Sequence, residues 1–306
     1  MRIGVGCGVM LVAACLASVA DAGDENQYRL KQLTDDPSQD GFPCWSPDGK
    51  DILFSRNGGD AAPEKTGLWL VSPDGGEPRQ LAAIIAEHPD WSPDGRYIVF
   101  DGDFGSSIQL VSVSGGTPIR IVPESIAVSQ GGTPRWSPEG ARVAFREGQN
   151  LWVLNVSTGR FEMVLSEQGK LPIPTCWSHD GEGIYVYLRE AESHDASIWS
   201  VSATGMGKRQ LTPEEKSAYR YADLSPDGSL LAVVWCQGRD CDLWIMSSAG
   251  GDRVQVTSDP SYDDGPSWSP DGTRIAFVST RSGNFDIWTV EVDAEQVRRE
   301  LARFGH

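Results

Sequence analysis

The chain has 306 residues, with 43 acidic side chains against 26 basic ones and a formal net charge of −17. That balance excludes a surface built to grip a nucleic-acid backbone, which needs clustered Lys and Arg. It also offers no simple attraction to an anionic lipid surface, and it suffices to keep an exported protein in solution.

The chain begins like a targeting segment. Arg2 supplies a positive start, Ile3 to Ala17 form a short apolar run, and Ala20-Asp21-Ala22 fits a small-x-small cleavage site. This predicts a signal peptide over residues 1–22, too short to be a transmembrane helix. A second reading stays open at Val12-Ala13-Ala14-Cys15, whose pattern would make Cys15 an acylated first residue and a lipid anchor. Either outcome exports the chain, to a periplasmic or secreted location or to the outer envelope as a lipoprotein. No later apolar run is long enough to span a bilayer.

From residue 28 onward one unit repeats. Trp45-Ser46-Pro47-Asp48-Gly49 returns from Trp91, Trp136, Trp177, Leu224 and Trp268, at steps of 46, 45, 41, 47 and 44 residues. Pro pre-sets the first corner of a turn, Asp bonds back to local backbone, and Gly accepts a positive φ. An apolar strand follows each turn (Ile52-Leu53-Phe54 in the first copy), then a third strand (Leu68-Trp69-Leu70-Val71), a Gly-rich turn and a closing strand (Arg79-Gln80-Leu81). Four strands at a period in the forties predict an all-β, six-bladed β-propeller of four-stranded antiparallel blades, one domain over residues 23–306.

The two ends complete each other. Gln32-Leu33-Thr34 resembles Gln210-Leu211-Thr212, which ends the fourth copy, whereas the sixth copy stops after its third strand. The N-terminal strand is therefore expected to supply the last strand of the sixth blade and close the ring. Beyond it, Asp293 as cap, Gln296 three residues on, and Val297, Leu301 and Phe304 on one face predict a short C-terminal helix over about 294–304.

Laid out this way, the repeats resemble the TolB-type, WD40-like (PD40) propeller repeat family, most fully at Gln255-Val256-Thr257, Pro266-Ser267-Trp268-Ser269-Pro270-Asp271-Gly272, Ile275-Ala276-Phe277 and Ile287-Trp288. The resemblance covers about residues 28 to 292. It implies an exported, non-catalytic module that binds an envelope protein or a peptidoglycan-associated, cell-wall component. The alternative is a propeller enzyme acting on a carbohydrate or lactone at the channel mouth. The family's namesake carries an α/β domain ahead of its propeller, and nothing of that length precedes Tyr28 here. No Gly-x-Ser-x-Gly elbow is present, and four histidines are too few for a His-rich metal site.

Candidate site residues lie on the rim with the long loops, because binding residues favour variable loops on a rigid scaffold. Phe42, His88, Thr133, Pro174, Tyr221 and Gly265 enter the first strand of each blade and line the mouth. Phe42, His88 and Tyr221 are read either as a sugar-stacking wall or as rim packing. Two acidic loops bring Asp35, Asp36 and Asp40 together with Asp259, Asp263 and Asp264. Those six are read as turn formers, as a patch for a cationic partner, or as hard oxygen ligands for Ca²⁺. No catalytic residue and no resident cofactor is expected otherwise. Cys236 and Cys241 flank a four-residue hairpin loop and are expected to pair, whereas Cys44 and Cys176 lie on opposite blades and are expected to stay free.

Overall fold

The computed structural model describes residues 28–123, 132–193, 195–213 and 218–304. The targeting segment 1–22 and Cys15 lie outside the described residues. Each copy of the repeat folds into one four-stranded antiparallel unit. The first runs Gln39–Trp45, Ile52–Asn57, Gly67–Val71 and Arg79–Ala82. The second and third, built on Ala86–Trp91 and Arg135–Trp136, have the same order. The fourth and fifth, led by Lys170–Trp177 and Ala218–Leu224, touch through one parallel bridge between Ala196 and Ala218. The sixth consists of Asp263–Trp268, Arg274–Ser279 and Asp286–Glu291, and its fourth strand is Leu30–Gln32 from the N-terminus.

The signature turn works as its residues dictate. In the first copy Gly49 takes φ 72°, its N–H donates to Ser46 O at 2.9 Å, and Ser46 Oγ donates to Asp48 Oδ1 at 2.9 Å. The same Ser Oγ accepts the Asp51 N–H at 3.0 Å, so two side chains satisfy a turn with no strand ladder of its own. The Leu-Thr motif has an equally local reason. Thr212 Oγ1 accepts the Ile198 N–H and Thr257 Oγ1 the Leu243 N–H, at 3.0 and 2.9 Å. Thr34 Oγ1 accepts the Ile287 N–H at 2.9 Å. The N-terminal Thr thus does for the sixth sheet what its counterparts do for the fourth and fifth.

Apolar faces pack between neighbouring sheets. Phe54, Phe100, Phe145 and Phe277 on the second strands have no exposed surface. The sixth copy also meets the first. Ser267 Oγ accepts the Trp45 N–H at 3.2 Å, Arg274 covers the Trp45 ring at 5.1 Å, and Pro270 sits 3.8 Å from where a Cβ on Gly49 would be. Leu33, Trp45 and Ile287 are buried around this junction, while Tyr28 is buried in the cluster shared by the fifth and sixth sheets.

The C-terminal helix, Ala294–Phe304, forms as predicted, with the Gln296 N–H donating to Asp293 Oδ1 at 3.0 Å. Gln296 does not reach back to complete a capping box; its side chain donates to Glu300. Val297 is fully buried and Leu301 packs beside it, but Phe304 is 56% exposed and lies off the docked face. Cys236 and Cys241 face each other in register across the fifth sheet's hairpin and are bonded, and Cys44 and Cys176 are free thiols. Among the described residues no helix is long and apolar enough to cross a membrane.

Candidate functional site: a cup floored by aromatic side chains

One local device builds the site. The first strand of five sheets breaks register just before its Trp or Leu, at Gly41/Cys44, Glu87/Asp90, Pro174/Cys176, Arg220/Ala222 and Asp264/Ser267. A bulge of this kind re-aims a side chain. At or beside the breaks stand Phe42, His88, Tyr221 and Gly265, with φ of 54°, 48°, 30° and 59°, and Thr133 takes φ 46° at the same place in the third copy. These are five of the six mouth positions; Pro174, whose ring fixes a negative φ, is the sixth.

The bulges bring the three candidate aromatic residues together. Phe42 and His88 rings are 4.0 Å apart, and His88 stacks on Tyr221 at 6.3 Å. His88 Nε2 meets the Tyr221 hydroxyl at 3.1 Å, joining the second sheet to the fifth. His88 Nδ1 meets Asp101 Oδ2 at 2.9 Å, and Asp101 also accepts the Gly132 and Thr133 N–H groups at 2.9 and 3.0 Å. Three donors hold this fully buried carboxylate. Tyr187 bonds to Tyr221 in turn, and burial raises both phenols, Tyr221 far above its ordinary value. A carboxylate at Asp101 can only accept, which calls for Nδ1–H on His88.

This cluster is a floor between two cavities that share Phe42, Tyr221 and Gly265. On the long-loop side lies a cup of about 1010 Å³, walled by Ile85, Arg146, Tyr187, Arg189, Tyr262 and Phe285 among others. Arg220 donates to the Tyr262 hydroxyl at 2.8 Å, and that hydroxyl donates to Asp264 at 2.5 Å. The other cavity, about 240 Å³, lies toward the signature turns. Its wall is a ring of residues that precede the signature Trp or Leu, each tied to the next copy. Asp90 accepts the Trp136 N–H at 2.7 Å, Arg135 Nε donates to Thr175 O at 2.7 Å, and Asp223 accepts the Trp268 N–H at 2.7 Å.

Asp223 has its pKa pushed up to about 7, burial being the main cause and the Asp90 charge a further one. A carboxyl that holds its proton more tightly folded than unfolded stabilises the fold below its unfolded value and loses that contribution as pH rises through the folded one. Asp223→Asn keeps an acceptor for Trp268 and removes the titration. Other buried carboxyls, Asp242 and Asp90 among them, are raised as well, so thermal melts of this variant are expected to show a shallower decline than the parent's between pH about 4 and about 7. A decline identical to the parent's would show that Asp223 does not cause it.

The six acidic-loop residues separate. Asp40 is buried against Arg56, with Nε–Oδ1 at 2.6 Å and Nη2–Oδ2 at 2.7 Å. Asp36 accepts from Ser38 N–H and from Lys65 Nζ at 2.6 Å, and these bonds outweigh its burial and hold its carboxyl well below the usual range. Asp259 accepts the Ser261 N–H, and Asp259 and Asp263 share Arg281 at 2.9 and 2.7 Å. Asp264 turns to the cup, and Asp35 is exposed. Asp36 and Asp259 are turn formers, Asp40 and Asp263 are neutralised by their own arginines, and the six do not converge on one point. Among the described residues no group of three or more His, Cys, Asp or Glu is arranged to hold a metal.

The sequence reading missed Asp101, Arg146 and Tyr187, which follow the centre of the second strand in copies two, three and four. They occupy one repeat position, so aligning the copies by that position and reading for polar departures would have found them.

A fold of repeated four-stranded antiparallel sheets around a floored channel defines a propeller-like repeat protein. Residues 216–303 match the TolB beta propeller domain family. The chain is 36% identical over 128 residues to the Tol-Pal system protein TolB of Anaeromyxobacter dehalogenans, a match covering 41% of this chain and 28% of that protein. It spans about half or less of the curated relatives it matches. Its fold is similar to that of a putative TolB from Agrobacterium tumefaciens, with TM-score 0.63, 18% identity, and 87% and 97% of the two chains covered. It is also similar to an oligogalacturonate lyase from Vibrio parahaemolyticus, with TM-score 0.62, 14% identity, and 89% and 96% covered. At these identities the likeness to solved structures concerns the fold alone.

Proposed function

We propose that this protein is an exported, non-catalytic binding propeller whose six four-stranded blades are closed into a ring by the N-terminal strand, and whose cup receives a periplasmic envelope protein or cell-wall component. The observation that carries this reading is the floored cup. About 1010 Å³ of concave space stands over a floor of Phe42, His88 and Tyr221, Phe42 in ring contact with His88 and His88 hydrogen-bonded to Tyr221, with Ile85 and Phe285 exposed in its lining. The relative named as a Tol-Pal system protein supports an envelope setting. Immobilised parent protein is expected to retain one specific component of an envelope extract. Ile85→Arg with Phe285→Arg should abolish retention, whereas Ile119→Arg, on an outer strand, should not. Equal retention by the cup variant and the parent would reject the cup as the docking surface.

A second reading is an enzyme acting on a carbohydrate or lactone in the same cup, favoured by the Asp101–His88–Tyr221 chain of hydrogen bonds. Turnover of such a substrate, lost in His88→Gln, would establish it.

A further inference from the structure

The exposed side chains of the cup gather on one part of its lip. Asp60 and Pro63 come from the long loop of the first copy, Ile85 and Glu87 from the entry to the second, and Phe285 from the last hairpin of the sixth. Backbone contacts make these three elements one surface. The Phe285 carbonyl accepts the Asp40 N–H at 2.9 Å, which seats the sixth copy's hairpin against the first copy. A Cβ on Gly67 would lie 2.1 Å from Ala82 O, so the segment that leads to Ile85 crosses the end of the long loop.

The lip combines two chemistries. Ile85 and Phe285 are 41% and 37% exposed, two large apolar side chains open to water. Among the described residues, the charged side chains exposed in the cup lining are Asp60 and Glu87, both acidic, and those deeper in are buried or half-buried. The cations nearest to them in the chain are already engaged. Arg56 and Lys65, on either side of Asp60, bond to Asp40 and Asp36, each at 2.6 Å. Arg79 and Arg96, on either side of Glu87, bond to Asp51 and Asp94 at 2.9 and 2.6 Å.

A charge at the edge of an apolar contact selects its partner by sign, because an opposite charge steers the encounter and fixes register whereas a like charge is costly. A purely apolar partner would strip water from Asp60 and Glu87 and give nothing back. An anionic lipid surface or a nucleic acid meets repulsion from both carboxylates. An amino sugar brings the positive charge but no large apolar group to cover Ile85 and Phe285. A polypeptide segment supplies both.

We propose that this lip docks a polypeptide segment whose aliphatic or aromatic side chain packs on Ile85 and Phe285 while a neighbouring Lys or Arg faces Asp60 and Glu87. The inference rests on the reading of the cup as a docking surface, and it names the chemistry of the partner. Selection by charge then falls to two carboxylates outside the acidic loops.

The test is calorimetry on the full chain with capped peptides, Gly-Lys-Leu-Lys-Gly against Gly-Glu-Leu-Glu-Gly and Gly-Lys-Gly-Lys-Gly. The first should bind, and the other two should bind about tenfold more weakly or less. Asp60→Asn with Glu87→Gln removes both charges at exposed positions and should melt as the parent does. It should weaken the first peptide by about threefold or more at low salt, and the difference should shrink as salt is raised. The proposal is overturned if the first peptide does not bind, if either comparison peptide binds as tightly, or if the charge variant binds the first peptide as the parent does. Envelope retention lost in Ile85→Arg with Phe285→Arg, but unchanged in the charge variant, would remove the basic partner and leave the docking reading standing. Retention unchanged in both variants would remove the docking reading and this inference with it.

Discussion

Deleting Tyr28 to Thr34 is expected to abolish cooperative melting and to leave a chain that aggregates. The deletion strips Leu30–Gln32 from its pairing with Val290, Thr289 and Trp288 and uncovers the edge of the sixth sheet. It removes the buried Tyr28 and Leu33 side chains, whose burial contributes about 1.5–3 kcal/mol for each large apolar group. It also orphans the Ile287 N–H and Asp286 Oδ1, which Thr34 now satisfies, at about 1–3 kcal/mol for each buried group, while Asp286 Oδ2 loses Gln32 but keeps Ser282. The sum approaches the whole margin of about 5–15 kcal/mol that holds a domain folded. Calorimetric melting of the truncated chain checks this. A transition with the parent's temperature and enthalpy would mean the sixth sheet holds without its N-terminal strand.

Asp40→Ala is expected to cost about 3–5 kcal/mol, the cost of leaving one member of a buried ion pair alone. Arg56 has a side chain only 4% exposed, lies 4.6 Å over the Trp69 ring, and gives two hydrogen bonds to a carboxylate with no exposed surface. Asp36 is too far at 3.7 Å to replace them. Denaturant titration at neutral pH measures the loss. Asp40→Asn combined with Arg56→Met should recover most of it, because replacing both partners leaves no buried charge. If Asp40→Ala shifts the midpoint no more than a surface substitution does, the pair is not what holds the first acidic loop.

How much of this was legible in the chain depends on the distance over which each feature is determined. The Ser-Pro-Asp-Gly turns, the apolar second strands and the Leu-Thr endings are fixed within a few residues, and the structure forms all of them. The N-terminal strand could be matched to the sixth copy because Leu33-Thr34 repeats Leu211-Thr212. The mouth positions were legible as the place where each chain segment enters its first strand, although the positive φ that aims them was not. Turn formation was legible at Asp36 and Asp259, but the arginine partners of Asp40 and Asp263 were not, since Arg56 and Arg281 sit on the next strand or hairpin and only register brings them close. The role of Asp101, though not its position, was illegible for a related reason. Its role depends on His88 from one strand and on Gly132 and Thr133 from the next copy, 31 and 32 residues away.

The central claim is that the partner enters the cup and stops at the Phe42–His88–Tyr221 floor. Site-specific photo-crosslinking tests it most directly, with a photoreactive side chain in place of Phe285 at the cup, or of Ile119 on an outer strand, in cells that make the full chain. Both positions are exposed, at 37% and 59%, so neither replacement disturbs the core. The account predicts one discrete adduct with an envelope component from position 285 and none from position 119. An adduct from position 119 with none from position 285 would place the partner on the outer strands and contradict it.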